Sequence, residues 1–193
     1  MAELKSFGTD TACGPERGGE NSAREKELPR LILKSFQHLI SQSESVPKMF
    51  HLLTGKLSKF FSISRAVLIA FSHRENSLKA IAMKDHQIIG DGLALTLPRQ
   101  DSLLYDVFDN GSVYLENYPG AFDGNFFERK LLLDDDTKSL VIIPLRFEDN
   151  IRGLICYSSP IAYAFSMIEE GLLDRVFEKF GASLTKKLPA SRF

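Results

Sequence analysis

The stretch TKSLVIIPLRFEDNIRGLICYSSP, residues 137–160, contains two apolar segments separated by a short polar one. Apolar segments on either side of an Asp-Asn pair predict a β-hairpin, with Asp149 and Asn150 in the turn. A two-residue turn at these positions sets Leu145 opposite Leu154. The stretch therefore predicts two long antiparallel strands near the end of the chain.

The first strand of this hairpin carries apolar side chains on both of its faces. Alternation places Leu140 and Ile142 on one face and Val141, Ile143 and Leu145 on the other. Both faces of the sheet are therefore expected to be covered. Pro144 removes one backbone donor, so we expect a bulge or an unpaired edge at that position.

The hydrophobic pattern elsewhere predicts an α+β sandwich, with an antiparallel sheet between terminal helices and a layer of loops and short helices. The expected elements are a helix over 31–40, a second helix capped by Ser45, strands over 65–71, 77–84 and 93–97, a brief helix capped by Asp101 and ending at Asn110 and Gly111, a strand over 112–116, a short helix within 124–133, the hairpin, and a last helix with a capping box at Ser166 and Glu169.

Composition limits the function classes. With 24 basic and 25 acidic side chains the net charge is -1, and the sequence contains no basic stripe that could bind a polyanion. No nucleic-acid partner is therefore expected. The two cysteines, Cys13 and Cys156, make neither a disulfide framework nor a metal site, which favours a reducing compartment. No apolar run has membrane-spanning length, and we expect a cytoplasmic protein without a membrane partner.

The chain divides into a domain and two tails. Residues 1–27 are rich in glycine and charge and poor in apolar groups, so a disordered N-terminal tail is expected. The domain is expected over 28–188, followed by a short tail over 189–193.

The order of these elements resembles the GAF domain family over about residues 28–188. The resemblance rests on RAVLIAF (65–71) with the helix before it, on LTLPRQDSLLYDVFDNGSVYLEN (95–117), and on the hairpin SLVIIPLRFEDNIRGLICYSS (139–159). The PAS fold is the second choice, because it usually lacks the long leading helix and the proline-bearing hairpin.

This resemblance implies a regulatory module that binds a small molecule between the sheet and the loop layer and often forms a homodimer through its first and last helices. The Asn-Lys and Asp-Glu motif of cyclic-nucleotide-binding members is not matched, since Asn125 precedes Phe126. GAF-type enzymes that reduce free methionine sulfoxide use several cysteines, whereas only Cys156 is placed to serve here, which argues against a dithiol mechanism.

The ligand pocket of such a module is expected within residues 117–139. That segment offers aromatic walls and polar groups that suit a small planar ligand, and the predicted ligand-binding residues are Asn117, Tyr118, Phe122, Asp123, Phe126, Phe127, Thr137 and Ser139. The alternative, weighted equally, is that the phenylalanines fill the cavity themselves. The sequence identifies no cofactor.

Other chemistry-bearing residues have plainer interpretations. Cys156 lies within a strand, where a thiol is usually a small buried hydrophobe rather than a chromophore attachment point. The histidines lack paired-ligand spacing, and a solvated loop position is preferred to haem ligation for His86. Residues 134–136, three aspartates in a row, suit a solvated turn better than a cation site.

Two function hypotheses remain, and neither is an enzyme, because no nucleophile with a base, paired carboxylates or phosphate-binding glycine loop is found. The first is a ligand-sensing domain that signals through a separate partner protein. The second is a ligand-free interaction module in which helices over 31–40 and 172–184 form a dimeric bundle.

Overall fold

The computed structural model describes residues 34, 38, 45–85, 89–117, 120, 122–166 and 174–187, and for residues 89–94 it describes the backbone alone. The elements, in chain order, are α1 (Val46–Phe61), β1 (Arg65–Ser72), β2 (Ser77–Lys84), β3 (Ile89–Thr96), α2 (Leu103–Asn110), β4 (Tyr114–Glu116), α3 (Phe126–Leu132), β5 (Ser139–Phe147), β6 (Asn150–Ser159) and α4 (Asp174–Lys187). The predicted α+β class is confirmed.

The six strands form one antiparallel sheet in the order β3-β2-β1-β6-β5-β4. The hairpin strands β5 and β6 lie beside each other, and β6 also pairs with β1 at the centre of the sheet. The strands β3 and β4 therefore form the two edges.

The terminal helices cover one face of the sheet. Ser45 caps α1 as predicted, accepting a hydrogen bond from the Lys48 backbone N–H at 3.3 Å. The core on this face contains Met49, Phe50, Leu53 and Leu57 of α1, Val176, Phe177, Phe180 and Leu184 of α4, and Val141, Ile143, Leu145, Ile155 and Tyr157 of the hairpin. Burial of both helices on the sheet is the main stabilising contribution of this layer.

The opposite face is covered by α2, α3 and their connections, which form the loop layer. The cap of α2 is Ser102, which accepts from the Tyr105 backbone N–H at 3.1 Å, and not the predicted Asp101. Asp101 instead adopts a left-handed conformation, with φ 50°. The helix ends at Gly111 in the left-handed conformation, as predicted.

The register of the hairpin differs from the prediction by one residue. The turn lies at Glu148 and Asp149, because Glu148 adopts a left-handed conformation (φ 54°) and closes the turn one position earlier. A bulge next to Leu145 then inserts Arg152 as an extra residue of β6. Leu145 consequently pairs with Gly153 and not with Leu154.

Pro144 stays within the ladder, opposite Leu154, and the bulge lies one residue beyond it. On the other side of β5, pairing with β4 ends at the Tyr114–Ile142 pair. Within the described part of the chain, Pro144 therefore faces an unpaired edge on that side, where a missing donor costs little.

Several predictions fall outside the described residues. These are the tails over 1–27 and 189–193, most of the helix over 31–40, His86, and the capping glutamate Glu169. Among the described residues no helix is long and apolar enough to cross a membrane.

Candidate functional site

The space between the sheet and the loop layer is filled by apolar side chains. The filling groups are Leu97, Leu103, Leu104, Tyr105, Val107 and Leu132, which pack on Val67, Ile69, Leu140, Ile142, Leu154 and Cys156 of the sheet. The Tyr105 hydroxyl accepts a hydrogen bond from the Leu78 backbone N–H at 2.8 Å, which anchors α2 to β2. Clefts lined by described residues open at the rim of this packed layer.

The first of these clefts, the polar cleft, has a volume of about 310 Å³. It is lined by Gly120, Arg129, Lys130, Leu133, Asp134, Asp135 and Thr137. Two cationic side chains, two carboxylates and a hydroxyl thus face one space at the C-terminal end of α3. Such a lining suits a small polar molecule that carries both donors and acceptors.

The wall formed by Asp134 and Thr137 is locally rigid. The Thr137 hydroxyl donates to the Asp134 carboxylate at 2.5 Å and accepts from the Asp134 backbone N–H at 2.9 Å. Burial raises the pKa of Asp134. Hydrogen bonds from Thr137 and Ser64 and the charge of Arg65 together lower it by more, so the pKa lies below its usual value. Asp134 is therefore ionised at neutral pH.

Arg65 fixes the C-terminal end of α3 beside this cleft. Its Nη1 atom donates to the carbonyl oxygens of Lys130 at 3.1 Å and Leu133 at 2.6 Å, and its Nη2 atom lies 3.8 Å from the Asp85 carboxylate. A guanidinium at this position satisfies carbonyls that a helix end leaves unpaired. Among the described residues its Nε atom is buried without a hydrogen-bond partner.

Glu128 joins the two helices of the loop layer. Its fully buried carboxylate accepts hydrogen bonds from the backbone N–H groups of Leu103 at 3.0 Å, Leu104 at 3.2 Å and Asn125 at 3.3 Å, and from the Ser102 hydroxyl. Burial raises the pKa of Glu128, and these four hydrogen bonds lower it by less. The carboxylate thereby caps α2 and α3 at once.

Cys156 is buried in the sheet beneath the same layer, and the prediction that it acts as a small hydrophobe is confirmed. Burial, and then the charge of Glu128, raises the pKa of its thiol well above the usual range. Because the thiolate is the reactive form, we expect this buried thiol to react slowly in the folded protein.

The predicted aromatic walls separate in the structure. Phe122 packs against the core of the loop layer, whereas Phe126 and Phe127 lie on the outer surface of α3 with ring centroids 6.1 Å apart. In the described part of residues 117–139, the apolar side chains that pack in this interior are Phe122, Leu131, Leu132 and Leu133. Phe127 lines a second cleft, and Tyr118 lies outside the described residues.

The predicted polar groups also separate. Thr137 lines the polar cleft, and Asn117 is half-buried with its side-chain oxygen unpartnered among the described residues. Asp123 is exposed. Ser139 is buried and donates to the Ile161 carbonyl at 2.7 Å. Because Ser139 alternates with residue 140 of the loop-layer core, it lies on the side of the terminal helices.

The acidic run at 134–136 does not form a cation site. Asp134 is engaged by Thr137, whereas Asp135 and Asp136 are exposed. Among the described residues no group of three His, Cys, Asp or Glu side chains is arranged to hold a metal ion.

Glu128 is the residue that sequence reasoning missed. The spacing of Asn125 and Glu128 is that of a capping box, and both of its reciprocal hydrogen bonds are present. That signal was available in the sequence. The second role of the carboxylate, at the start of α2, depends on the packing of α2 against α3.

Comparison with known proteins identifies the fold. No family model and no curated protein matches the chain. Among solved structures, the GAF domain of a phosphoenolpyruvate-protein phosphotransferase from Acinetobacter is 11% identical and has a TM-score of 0.66, and the alignment covers 82% of this chain and 94% of that one. The GAF domain of a two-component sensor histidine kinase from Bacillus halodurans is 18% identical with a TM-score of 0.54, covering 70% and 90%.

An enzyme shares the same architecture. The free methionine-R-sulfoxide reductase from Neisseria meningitidis, solved with its substrate, is 11% identical with a TM-score of 0.60, and the alignment covers 85% of this chain and 94% of the enzyme. At these identities the comparisons establish the fold and not the activity. The chain folds as a GAF-like domain.

Proposed function

We propose that this chain is a non-enzymatic regulatory module that binds a small molecule and signals through a separate partner protein. The GAF-like fold supports this proposal, since domains of this fold occur in a sensor kinase and in a phosphotransferase. Fold alone does not determine function, so the proposal depends on the site.

The polar cleft is the observation that carries the proposal. Its volume of about 310 Å³ lies at the small end of the range for ligand pockets. Arg129 and Lys130 provide positive charge, and Thr137 is the predicted ligand-binding residue that lines it. A small polar molecule that carries both an acidic group and hydrogen-bond donors fits this lining, because the two exposed cationic side chains share the cleft with the carboxylates of Asp134 and Asp135. The other predicted contact residues remain predictions.

Gly120 offers a direct test. A Cβ atom added at this position meets no atom of the described residues within 4 Å, so a large side chain can be introduced without a clash with them at its root. Gly120→Trp is expected to obstruct the cleft, and Gly120→Ala is the matched control that leaves it open. Both variants are expected to unfold at the wild-type temperature in the absence of ligand.

The assay is thermal unfolding with a panel of nucleotides, amino acids and organic acids. A ligand at about 100 times its Kd stabilises the folded state by about 2.7 kcal/mol, which corresponds to roughly 5–10 °C for a domain of this size. We expect at least one compound to give such a shift with the wild type and with Gly120→Ala, and none with Gly120→Trp. Equal shifts in all three proteins would reject the polar cleft as the site.

The non-enzymatic part is tested against the activity of the reductase. Thiol-dependent reduction needs an accessible thiolate, and the thiol of Cys156 is fully buried with a raised pKa. We expect no consumption of free methionine-R-sulfoxide with dithiothreitol beyond the rate without protein. Catalytic turnover that persists in purified protein would show that the chain is an enzyme.

A ligand-free dimerisation module is the second candidate. The predicted bundle uses helices over 31–40 and 172–184, and most of the first of these lies outside the described residues. On the next helix, α1, Leu52 and Phe60 are exposed and available to a second copy. If this candidate is correct, sedimentation velocity should show a dimer for the wild type and a weaker dimer for Phe60→Ser. A monomer at all concentrations would rule out the dimerisation module.

The cytoplasmic location also remains a prediction.

A further inference from the structure

An aromatic surface on α3 is not needed by the fold. Phe126 and Phe127 are 67% and 61% exposed, and Leu95 at the end of β3 is 54% exposed. The inward side of α3 is formed instead by Glu128 and Leu132. Phenylalanine is an ordinary helix former, so propensity does not explain the pair either. Contiguous exposed apolar groups of this kind usually mark an interaction site.

These side chains border an apolar cleft. The cleft has a volume of about 300 Å³ and is lined by Leu95, Thr96, Leu97, Pro98 and Phe127. We call Leu95, Pro98, Phe126 and Phe127 the aromatic ridge. The cleft is large enough for one bulky apolar side chain, because a buried leucine or phenylalanine side chain needs less room than a drug-sized ligand.

Two cationic side chains lie beside the ridge. Lys130 Nζ lies 5.9 Å from the centre of the Phe126 ring, and Arg129 is exposed on the same helix. Within the described ranges neither residue forms an ion pair. The acidic residue of α3, Glu128, is buried and engaged by four donors. An acidic partner therefore complements this surface.

The neighbouring strand favours an extended partner. The cleft is built on the end of β3, which is an edge of the sheet. An edge strand presents backbone donors and acceptors that can pair with an added strand. The ring centroids of Phe127 and Phe126 are 6.1 Å apart, and Lys130 Nζ lies 5.9 Å from the centre of the Phe126 ring. At about 3.3 Å per residue, an acidic side chain within four positions of the anchor can therefore reach Lys130.

We propose that the cleft and the aromatic ridge bind an extended acidic segment of a partner protein, with one bulky apolar side chain in the cleft and a carboxylate beside Lys130 or Arg129. This inference deepens the proposed function by specifying the chemistry of the partner. It rests only on the existence of a partner and does not require a ligand in the polar cleft.

The test is selection from a random dodecapeptide library displayed on phage, with the full chain as the target. The recovered peptides are then synthesised and their affinities measured by fluorescence polarisation. Phe127→Ala removes one wall of the cleft, and Lys130→Gln removes the charge. Ile161→Ala is the matched control, because Ile161 is 52% exposed and lies outside the ridge. Thermal unfolding checks that all variants fold.

We expect recovered peptides to carry an apolar residue with an acidic residue within four positions. Phe127→Ala is expected to weaken binding by about 10-fold or more, as for a central interface residue. Lys130→Gln is expected to weaken it several-fold and to reduce its salt dependence, and Ile161→Ala is expected to change nothing. Gly120→Trp is expected to retain peptide binding, which separates this inference from ligand binding.

Several outcomes would overturn the inference. Failure to recover any peptide would do so, as would peptides without acidic residues or peptides that bind Phe127→Ala as tightly as the wild type. Ridge-dependent sedimentation with phosphatidylserine vesicles would assign the surface to a membrane instead. A dimer that Phe127→Ala dissociates would assign it to a second copy of this chain.

Discussion

Replacing the carboxylate of Glu128 with an amide tests whether this side chain holds the loop layer together. One carboxylate oxygen accepts from the Ser102 hydroxyl and the Leu104 N–H, and the other accepts from the N–H groups of Leu103 and Asn125. In Glu128→Gln one oxygen becomes an NH₂ group that faces two donors. Two buried donors therefore lose their acceptor.

The expected cost follows from that geometry. Each buried donor without an acceptor costs about 1–3 kcal/mol. The relief of burying a charge offsets part of this loss, because burial raises the pKa of Glu128 and one pKa unit corresponds to about 1.4 kcal/mol. We expect Glu128→Gln to lower the free energy of unfolding by about 2–4 kcal/mol at pH 7.

The pH dependence has a defined sign. Because the pKa of Glu128 is higher in the folded protein than its usual value of 4.5, protonation favours the folded state. Its contribution is complete below pH 4.5 and declines as the pH rises through the folded pKa. The amide does not titrate, so the stability difference between wild type and Glu128→Gln should be larger near pH 4.5 than at pH 8.

Urea unfolding followed by circular dichroism measures this difference at both pH values. Glu178→Gln is the matched control, because Glu178 is exposed on α4 and the same chemical change there should have little effect. A Glu128→Gln variant within about 0.5 kcal/mol of wild type, which is the scale of a surface substitution, would refute the role of Glu128 in joining α2 to α3. A difference that grows with rising pH would refute the pKa direction.

Two further predictions concern the effect of alanine at two helical glycines and the reactivity of the Cys156 thiol. Gly181→Ala places a Cβ 2.9 Å from the Arg146 carbonyl carbon and should lower the free energy of unfolding by about 1–3 kcal/mol. At Gly55 an added Cβ lies 3.8 Å from Lys84 Nζ, an ordinary contact, so Gly55→Ala should raise the free energy of unfolding by about 0.5–1 kcal/mol. Equal signs in urea unfolding would contradict this. In Cys13→Ser protein, Cys156 should react with a disulfide reagent only as the chain unfolds, and rapid reaction of the folded protein would show that the thiol is accessible.

Sequence periodicity located the sheet and its flanking helices well, because burial of an apolar face leaves a direct pattern. The alternation in β5 predicted two covered faces, and Leu140 and Val141 do belong to separate cores. Register was harder to predict, since the earlier turn at the left-handed Glu148 shifts the pairing by two residues and the extra Arg152 restores one of them. The choice between Asp101 and Ser102 as a cap was similarly local, because both residue types cap helices.

The site was less predictable than the fold. Phe126 and Phe127 were expected to line one pocket with Phe122, yet Glu128 turns inward between the two helices and leaves both rings on the surface, where Phe127 lines the apolar cleft. The side of Ser139 followed from alternation with Leu140 and was available in the sequence. The polar cleft, by contrast, depends on how the end of α3 meets residues 133–137, a tertiary arrangement that spacing does not encode.

Native mass spectrometry of the protein purified from its own host is the most direct test of ligand binding in the polar cleft, because it reports bound small molecules and subunit number together. The native and denatured masses should be compared for the wild type, for Gly120→Ala and for Gly120→Trp. We expect excess native mass in the first two proteins and none in Gly120→Trp. Native masses equal to the polypeptide alone, or excess mass retained by Gly120→Trp, would contradict ligand binding in the polar cleft.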